Sequence, residues 1–237
     1  GAAGAGDQAQ SVCECGRRDG RGRWCVTTPG RVDISNKPSP HTLGNRLKRV
    51  VWNVVQGTLF RWSPRPLHRW RVMLLRAFGA EVSSKARAYP RCRIWGPWNL
   101  VMEDHATLAD DVDCYCVDRI RIGAHTTVSQ YAYLCGATHD HTHPRFPLTP
   151  KPIDIGSQCW IAADVFVAPG VTIGDGTVVG ARSSVFTDLP AWKVCVGSPA
   201  RPVSDRVIDA DAPAHAAAPL APEGANGGEA GGTRGGA

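Results

Sequence analysis

Residues 161–180 read IAADVFVAPGVTIGDGTVVG, with an aliphatic residue at every sixth place: Ile161, Val167, Ile173 and Val179. A period of six fits neither the roughly 3.6-residue turn of an α-helix nor the two-residue alternation of a strand. The series runs unbroken from Ile155 to Val185. Upstream the same step links Ile122, Val128 and Leu134, then Met102, Leu108 and Cys114, then Val82, Ala88 and Ile94. Four places after these positions stand compact side chains such as Ala86, Cys92, Ala106, Thr126, Thr138, Cys159 and Ser183. Hexapeptide repeats of this kind wind into parallel β-helices, in which each aliphatic residue points inward onto its counterpart one coil away. Glycines directly after the aliphatic residue, as in Ile122-Gly123, Ile173-Gly174 and Val179-Gly180, are expected to permit the sharp corner turns.

The interruptions say more than the repeat. The aliphatic positions fall into five triplets, 82/88/94, 102/108/114, 122/128/134, 155/161/167 and 173/179/185. The steps between triplets are 8, 8, 21 and 6 residues, so every insertion lands on the same corner of a three-sided coil. The sequence therefore predicts an all-β fold, a triangular prism of about five coils stacked into one continuous core. One long loop leaves it at a fixed edge, within GATHDHTHPRFPLTPKPIDIG, residues 136–156. A loop of this length is uncommon in a compact repeat unless it carries function. His139 stands at its base, directly after Thr138, which the register places inward. An imidazole there takes a proton near neutral pH.

The flanks read differently. Residues 1–40 are rich in Gly, Arg and Ser and show no apolar period, and residues 206–237 are dominated by Ala, Gly and Pro; both are expected to be disordered tails. Residues 41–80 form a basic helical lead-in to the 81–205 prism. Leu43, Leu47, Val50, Val51, Val54 and Val55 recur at helical spacing. Ser63-Pro64 breaks that helix, a second begins near Pro66 with Leu67, Trp70, Leu74 and Phe78 on one face, and Gly79 ends it.

The net charge is +6, and its placement matters more than its size. Residues 41–80 hold eight of the 27 basic side chains and no Asp or Glu; without them 19 basic residues stand against 21 acidic ones. The preferred expectation is that the two helices pack on the prism. Attachment of residues 43–78 to an anionic membrane surface is the alternative. No stretch of 18 apolar residues supports a spanning helix, and no apolar signal segment is visible. Nine cysteines, odd in number and irregularly spaced, with several at inward positions, read as compact fillers in a reducing cytoplasm. Cys13 and Cys15 lack a distant matching pair and are not read as a metal site.

The chain resembles the hexapeptide-repeat acyltransferases of the maltose/galactoside and colanic-acid-biosynthesis type. The resemblance covers residues 41–205 and is carried by SPRPLHRW and LLRAFGA in the lead-in, PWNL at 97–100 and CGATHD at 135–140. It is carried further by CWIAADVFVAPGVTIGDG at 159–176 and VGSPARPV at 196–203. It implies a left-handed parallel β-helix assembling as a homotrimer. Acetyl-CoA would lie between neighbouring prisms, with a carbohydrate acceptor in a pocket shaped by the loop. No metal and no nucleic acid are implied.

By position His139 matches the family's catalytic histidine, a general base for an acceptor hydroxyl. Trp160, Ala163 and Ala181 match cofactor-side positions. Arg201 matches the basic residue that meets the nucleotide phosphates. Asp140 and Phe146, on the loop, are the expected acceptor contacts. The chain departs from the family where Thr-Lys commonly precedes Asp-Ile-Pro: here Phe186-Thr187 precedes Asp188-Leu189-Pro190, leaving Arg182 to supply the missing charge. No GxSxG elbow is present, so direct transfer is expected rather than an acyl-enzyme.

Two other functions compete. His139, His141 and His143 suggest a metal-dependent hydratase of the γ-carbonic-anhydrase kind, which also uses this prism, although their spacing within one loop is unlike that family's dispersed ligands. The other is a non-catalytic scaffold, against which the retained His139 and GSPAR both count.

Overall fold

The structure, a computed structural model, describes Val32, Ile34, Ser35 and residues 42–209. The expected tails and the Cys13/Cys15 pair otherwise fall outside the described residues. The six-residue period becomes three parallel walls. The first stacks Glu81–Val82, Leu100–Met102, Ile120–Ile122, Ile153–Ile155 and Thr172–Ile173. The second stacks Arg87–Ala88, Thr107–Leu108, Thr127–Val128, Trp160–Ile161 and Val178–Val179, and continues into Lys193–Gly197 and Ala200–Asp205. The third stacks Arg93–Ile94, Asp113–Tyr115, Tyr133–Cys135, Phe166–Val167 and Ser184–Val185.

In every wall the aliphatic residue of one coil pairs with that of the next, as in Met102 with Ile122, Ile161 with Val179, and Leu134 with Val167. All 15 triplet residues are at least 96% buried, so the core is one column of stacked side chains. Burial of that column is the main force holding the walls together.

A sixth, incomplete turn follows. Leu189 bridges to Ile173 and Cys195 pairs with Val179, both side chains buried. The step from Val185 to Leu189 is four residues, which breaks the period and hid this turn from the sequence reading. The chain then doubles back, and Ala200–Asp205 runs antiparallel to Lys193–Gly197.

The corner turns correct the expected role of glycine. Left-handed backbone falls on the third residue after the aliphatic one. His105, His125 and Gln158 take φ near +60° at one corner, and Asp111, Tyr131, Asp164 and Arg182 do so at the next. Gly123, Gly174 and Gly180 serve close approach instead. A Cβ at Gly123 would lie 2.5 Å from the Gly156 carbonyl carbon, and one at Gly174 would lie 2.5 Å from the Ala191 nitrogen.

One set of hydrogen bonds between coils keeps a single direction, while corner amides such as His125 N donate back to the preceding coil. The residue after each inward aliphatic donates to the aliphatic residue one coil on: Ser83 N to Met102 O, Tyr89 N to Leu108 O, Trp95 N to Cys114 O. The matching carbonyls of the first coil, on Val82, Ala88 and Ile94, have no preceding coil to receive from. The lead-in supplies the donors. Arg76 Nε reaches Val82 O at 2.6 Å, Arg71 Nε reaches Ala88 O at 2.6 Å, and Trp52 Nε1 reaches Ile94 O at 2.7 Å. Unpaired buried carbonyls are costly, which explains why a basic, acid-free segment sits at this end.

That segment consists of α1 (Leu43–Val55), a π-turn (Gln56–Phe60) and α2 (His68–Ala77). Thr42 caps α1 by accepting from Asn45 N at 3.2 Å, and Gly79, at φ +94°, follows α2. The helix-break-helix expectation holds, but the packed faces differ from those expected. The α1 aliphatic stripe faces solvent, and α1 docks through Trp52, whose ring meets Phe60 and Phe78 with centroids 5.9 and 5.1 Å away. In α2 the buried residues are Arg71, Val72, Leu74 and Leu75, while Leu67 and Trp70 are exposed. A core that must satisfy carbonyls selects Trp and Arg over aliphatic side chains. Lys48 and Arg49 sit over Trp98 and Trp95, at 4.5 and 4.1 Å from the ring centroids, so these tryptophans pack beneath the lead-in.

Candidate active site

All three insertions leave the corner between the third and first walls, and they stack on one another. The first contains the short helix Pro97–Asn99, whose Asn99 side chain donates to Cys116 O and Val117 O of the second at 3.1 and 2.7 Å. Gly136 N, at the start of the third, donates to Tyr115 O at 3.0 Å. On this platform the long insertion folds as a hairpin, Ala137–His139 antiparallel to Leu148–Pro150, with His139 opposite Leu148. Ala137 is the buried residue of its first strand. Thr138 is exposed, contrary to the inward place its spacing gave it, because the hairpin has already left the column.

His139 is exposed, and its Nδ1 lies 2.7 Å from Phe146 O. A carbonyl only accepts, so Nδ1 carries a proton and, in the neutral ring, the lone pair is on Nε2. That is the tautomer a general base needs, held by a backbone group. The carbonyl is aimed by a tight turn in which Phe146 takes φ +45° and its amide donates to His143 O at 3.0 Å. Nothing in the sequence signals this contact, because it is made by main chain in a left-handed turn. The Phe146 side chain is half-buried.

Asp140 Oδ1 accepts from Thr142 N and Thr142 Oγ1 at 2.9 and 2.6 Å, which holds its carboxyl below the usual range. This oxygen therefore folds the loop. The three histidines do not converge: His139 Nδ1 serves Phe146 O and His143 Nδ1 accepts from Arg145 N at 3.1 Å. Among the described residues no group of three His, Cys, Asp or Glu is arranged to hold a metal ion.

The expected cofactor residues gather elsewhere. Trp160 lies on the second wall, exposed, with Nε1 donating to Ser129 Oγ at 3.0 Å. Ala163, Ala181 and Arg182 follow at the corner between the second and third walls, where Arg182 N donates to Ala163 O at 3.0 Å. Arg182 pairs with Asp164 at 3.5 Å, a partner the sequence reading did not name. The turn GSPAR, with a cis Ser198–Pro199 bond, stacks on the same edge through Gly197 N and Ser183 Oγ at 3.0 Å. Arg201 Nη1 donates to Thr187 Oγ1 at 3.2 Å, so Thr187 holds the guanidinium. The neighbouring Phe186 is exposed and leans on Phe166, centroids 5.7 Å apart. Within one chain, then, His139 and the expected cofactor residues occupy different edges of the prism.

A family profile described as bacterial transferase hexapeptide (six repeats) matches residues 152–187. A putative colanic acid biosynthesis acetyltransferase of Escherichia coli (strain K12) is 52% identical over 164 residues, spanning 69% of this chain and 90% of its own length. Among solved structures, a maltose O-acetyltransferase from Clostridium difficile 630 aligns at a TM-score of 0.62 and 25% identity, over 69% of this chain and 88% of that one. A hexapeptide-repeat acetyltransferase from Vibrio cholerae O1 biovar eltor, complexed with acetyl-coenzyme A, shares the fold at a TM-score of 0.64 and 24% identity, over 72% and 93%. The chain belongs to the hexapeptide-repeat acetyltransferases and is related to their colanic acid biosynthesis members.

Proposed function

We propose that this acetyltransferase moves the acetyl group of acetyl-CoA to a carbohydrate hydroxyl in the synthesis of a surface polysaccharide, with His139 as general base. The observation that carries the reading is the hydrogen bond between His139 Nδ1 and Phe146 O, which in the neutral ring puts the lone pair on Nε2, on an exposed hairpin. Nε2 takes the acceptor hydroxyl proton as that oxygen forms its bond to the thioester carbonyl carbon. The C–S bond then breaks, and the imidazolium returns the proton to the departing thiolate. Proton transfer of this kind is worth about 10²- to 10⁴-fold in rate.

The active unit in this reading is a homotrimer. The candidate base sits on one edge and Trp160, Ala163, Ala181, Arg182 and Arg201 on or beside another, so a complete site needs the base edge of one protomer beside the cofactor edge of its neighbour. Arg201 and Arg182 meet the phosphates of the donor, and Asp140 and Phe146 shape the acceptor side. The six described cysteines are free thiols, which suits a reducing cytoplasm. An acceptor carried at an anionic surface suits the basic lead-in.

Thiol release from acetyl-CoA with a panel of sugars tests the proposal. His139→Ala is expected to lower kcat by about 100-fold or more; wild-type turnover by this variant rejects the base assignment. Mixed oligomers of His139→Ala and Arg201→Ala chains should recover turnover that neither parent has. No recovery in mixed trimers rejects the shared site.

A further inference from the structure

The α1 helix has two apolar faces, and only one is used. Trp52 anchors it to the first coil through Ile94 O. At about 100° per residue, Leu43, Leu47, Val50, Val51 and Val54 lie on the opposite side. These five are between 48% and 81% exposed, an aliphatic stripe that no described residue covers. The exposed apolar surface continues past the helix end. Leu59 is exposed, its carbonyl accepts from Trp70 Nε1 at 3.0 Å, and Trp62 is 81% exposed. A cleft of about 490 Å³ beside Trp70 is lined by Arg69, Met73, Arg76 and Ser84.

The charge around this surface has one sign. Residues 41–80 contain no Asp or Glu. Arg71 and Arg76 are engaged with first-coil carbonyls, Arg65 pairs with Asp110, and Lys48 and Arg49 lie over tryptophans. Arg46, Arg61 and Arg69 remain, with no ion-pair partner among the described residues. A second copy meeting this face with its own would set the same cations against each other. An exposed aliphatic stripe, tryptophans beside it and a purely cationic rim fit a layer with an apolar interior and a negative surface.

We infer that the outer face of α1, with Trp62, Trp70 and the flanking arginines, docks on an anionic lipid surface. The stripe lies in the acyl boundary, the helix parallel to the plane, and Arg46, Arg61 and Arg69 meet lipid phosphates. The inference goes beyond the acyl-transfer reading and does not rest on it.

The test is co-sedimentation of the full chain with vesicles of phosphatidylcholine alone and with about a third phosphatidylglycerol, at low and high salt. Binding is expected only to the anionic vesicles, and it weakens with salt. Each basic residue at such a surface multiplies partitioning about fivefold, so Arg46→Glu/Arg61→Glu should lose at least about 25-fold. Leu47→Glu/Val51→Glu should lose about tenfold or more. Both variants change exposed side chains and should keep the parent's circular dichroism, solution mass and thiol release with a soluble acceptor. Absence of binding to anionic vesicles, or binding indifferent to both variants, overturns the inference. So does a drop in solution mass for Leu47→Glu/Val51→Glu, which would make the stripe a contact between copies.

Discussion

Arg71 is 0% exposed, and its guanidinium makes five contacts. It donates to Ala88 O, Ser63 Oγ, Pro64 O and Arg65 O at 2.5 to 2.9 Å, and lies 3.1 Å from His68 Nδ1. Burial lowers its pKa from the ordinary arginine value, against which nearby Cys92 and Asp110 act to raise it. Truncation takes this donor from Ala88 O, Arg65 O and Pro64 O, of which Pro64 O keeps the Leu67 amide, and a buried carbonyl left unpaired costs about 1–3 kcal/mol. Arg71→Met is therefore expected to destabilise the protein by about 3 kcal/mol or more, read as the denaturant midpoint at unchanged m-value. The sequence counted this arginine with the surface charge of the lead-in, since composition does not say which cation is enclosed. The place of His139 at the foot of a hairpin was legible because its loop is the one long interruption of a strict period; the Phe146 carbonyl beside its Nδ1 was not. Burial also pushes the Cys92 thiol up to about 12, despite nearby Arg71, so this side chain serves as filler rather than nucleophile.

At the scale of a coil, the repeat works through two kinds of corner position. The left-handed corner positions hold His, Asp, Gln, Tyr, Arg, Trp192 and, at Gly170 and Gly176, glycine, and no β-branched residue stands at any of them. Left-handed backbone costs an L-residue about 1–2 kcal/mol, and more when Cβ is branched. His125→Val is expected to lower Tm, whereas His125→Asn, which tolerates this region, should leave it nearly unchanged; differential scanning calorimetry distinguishes them. The other position is steric. Gly123→Ala sets a methyl carbon against the backbone of the next coil, where no side-chain rotation relieves it. Overpacking of this kind costs about 1–3 kcal/mol, and the variant should unfold earlier by that amount in urea. The sequence placed glycine at the corner correctly and assigned it the wrong reason, because a one-dimensional pattern does not separate a φ requirement from a distance requirement. The lead-in shows the same limit. Its 3.6-residue stripe located a helix, but periodicity cannot tell an apolar face turned to the core from one turned away.

For the molecule as a whole, the arithmetic of insertions carried most of the fold. The five triplets became five complete coils, and the surplus residues left from one edge, because an insertion elsewhere would break the stacking of identical inward positions. What escaped was the closing turn, through a single four-residue step at Asp188-Leu189-Pro190. The site was half legible. The candidate base and the expected cofactor residues stand in motifs, but the separation of the two sets onto different edges appears only when the coils are stacked.

The outward carbonyls of the first coil have a consequence for assembly. Each inward aliphatic carbonyl accepts from the coil before it, so a bare column would show the lone pairs of Val82, Ala88 and Ile94 at its head and the amides that follow the last aliphatic residues at its tail. Two such columns match only head to tail, a contact that repeats without closing and so builds fibres. Trp52, Arg71 and Arg76 occupy the head and act as its stopper. A chain lacking residues 42–78 should therefore polymerise end to end, visible as filaments by electron microscopy and as light scattering that rises steeply with concentration.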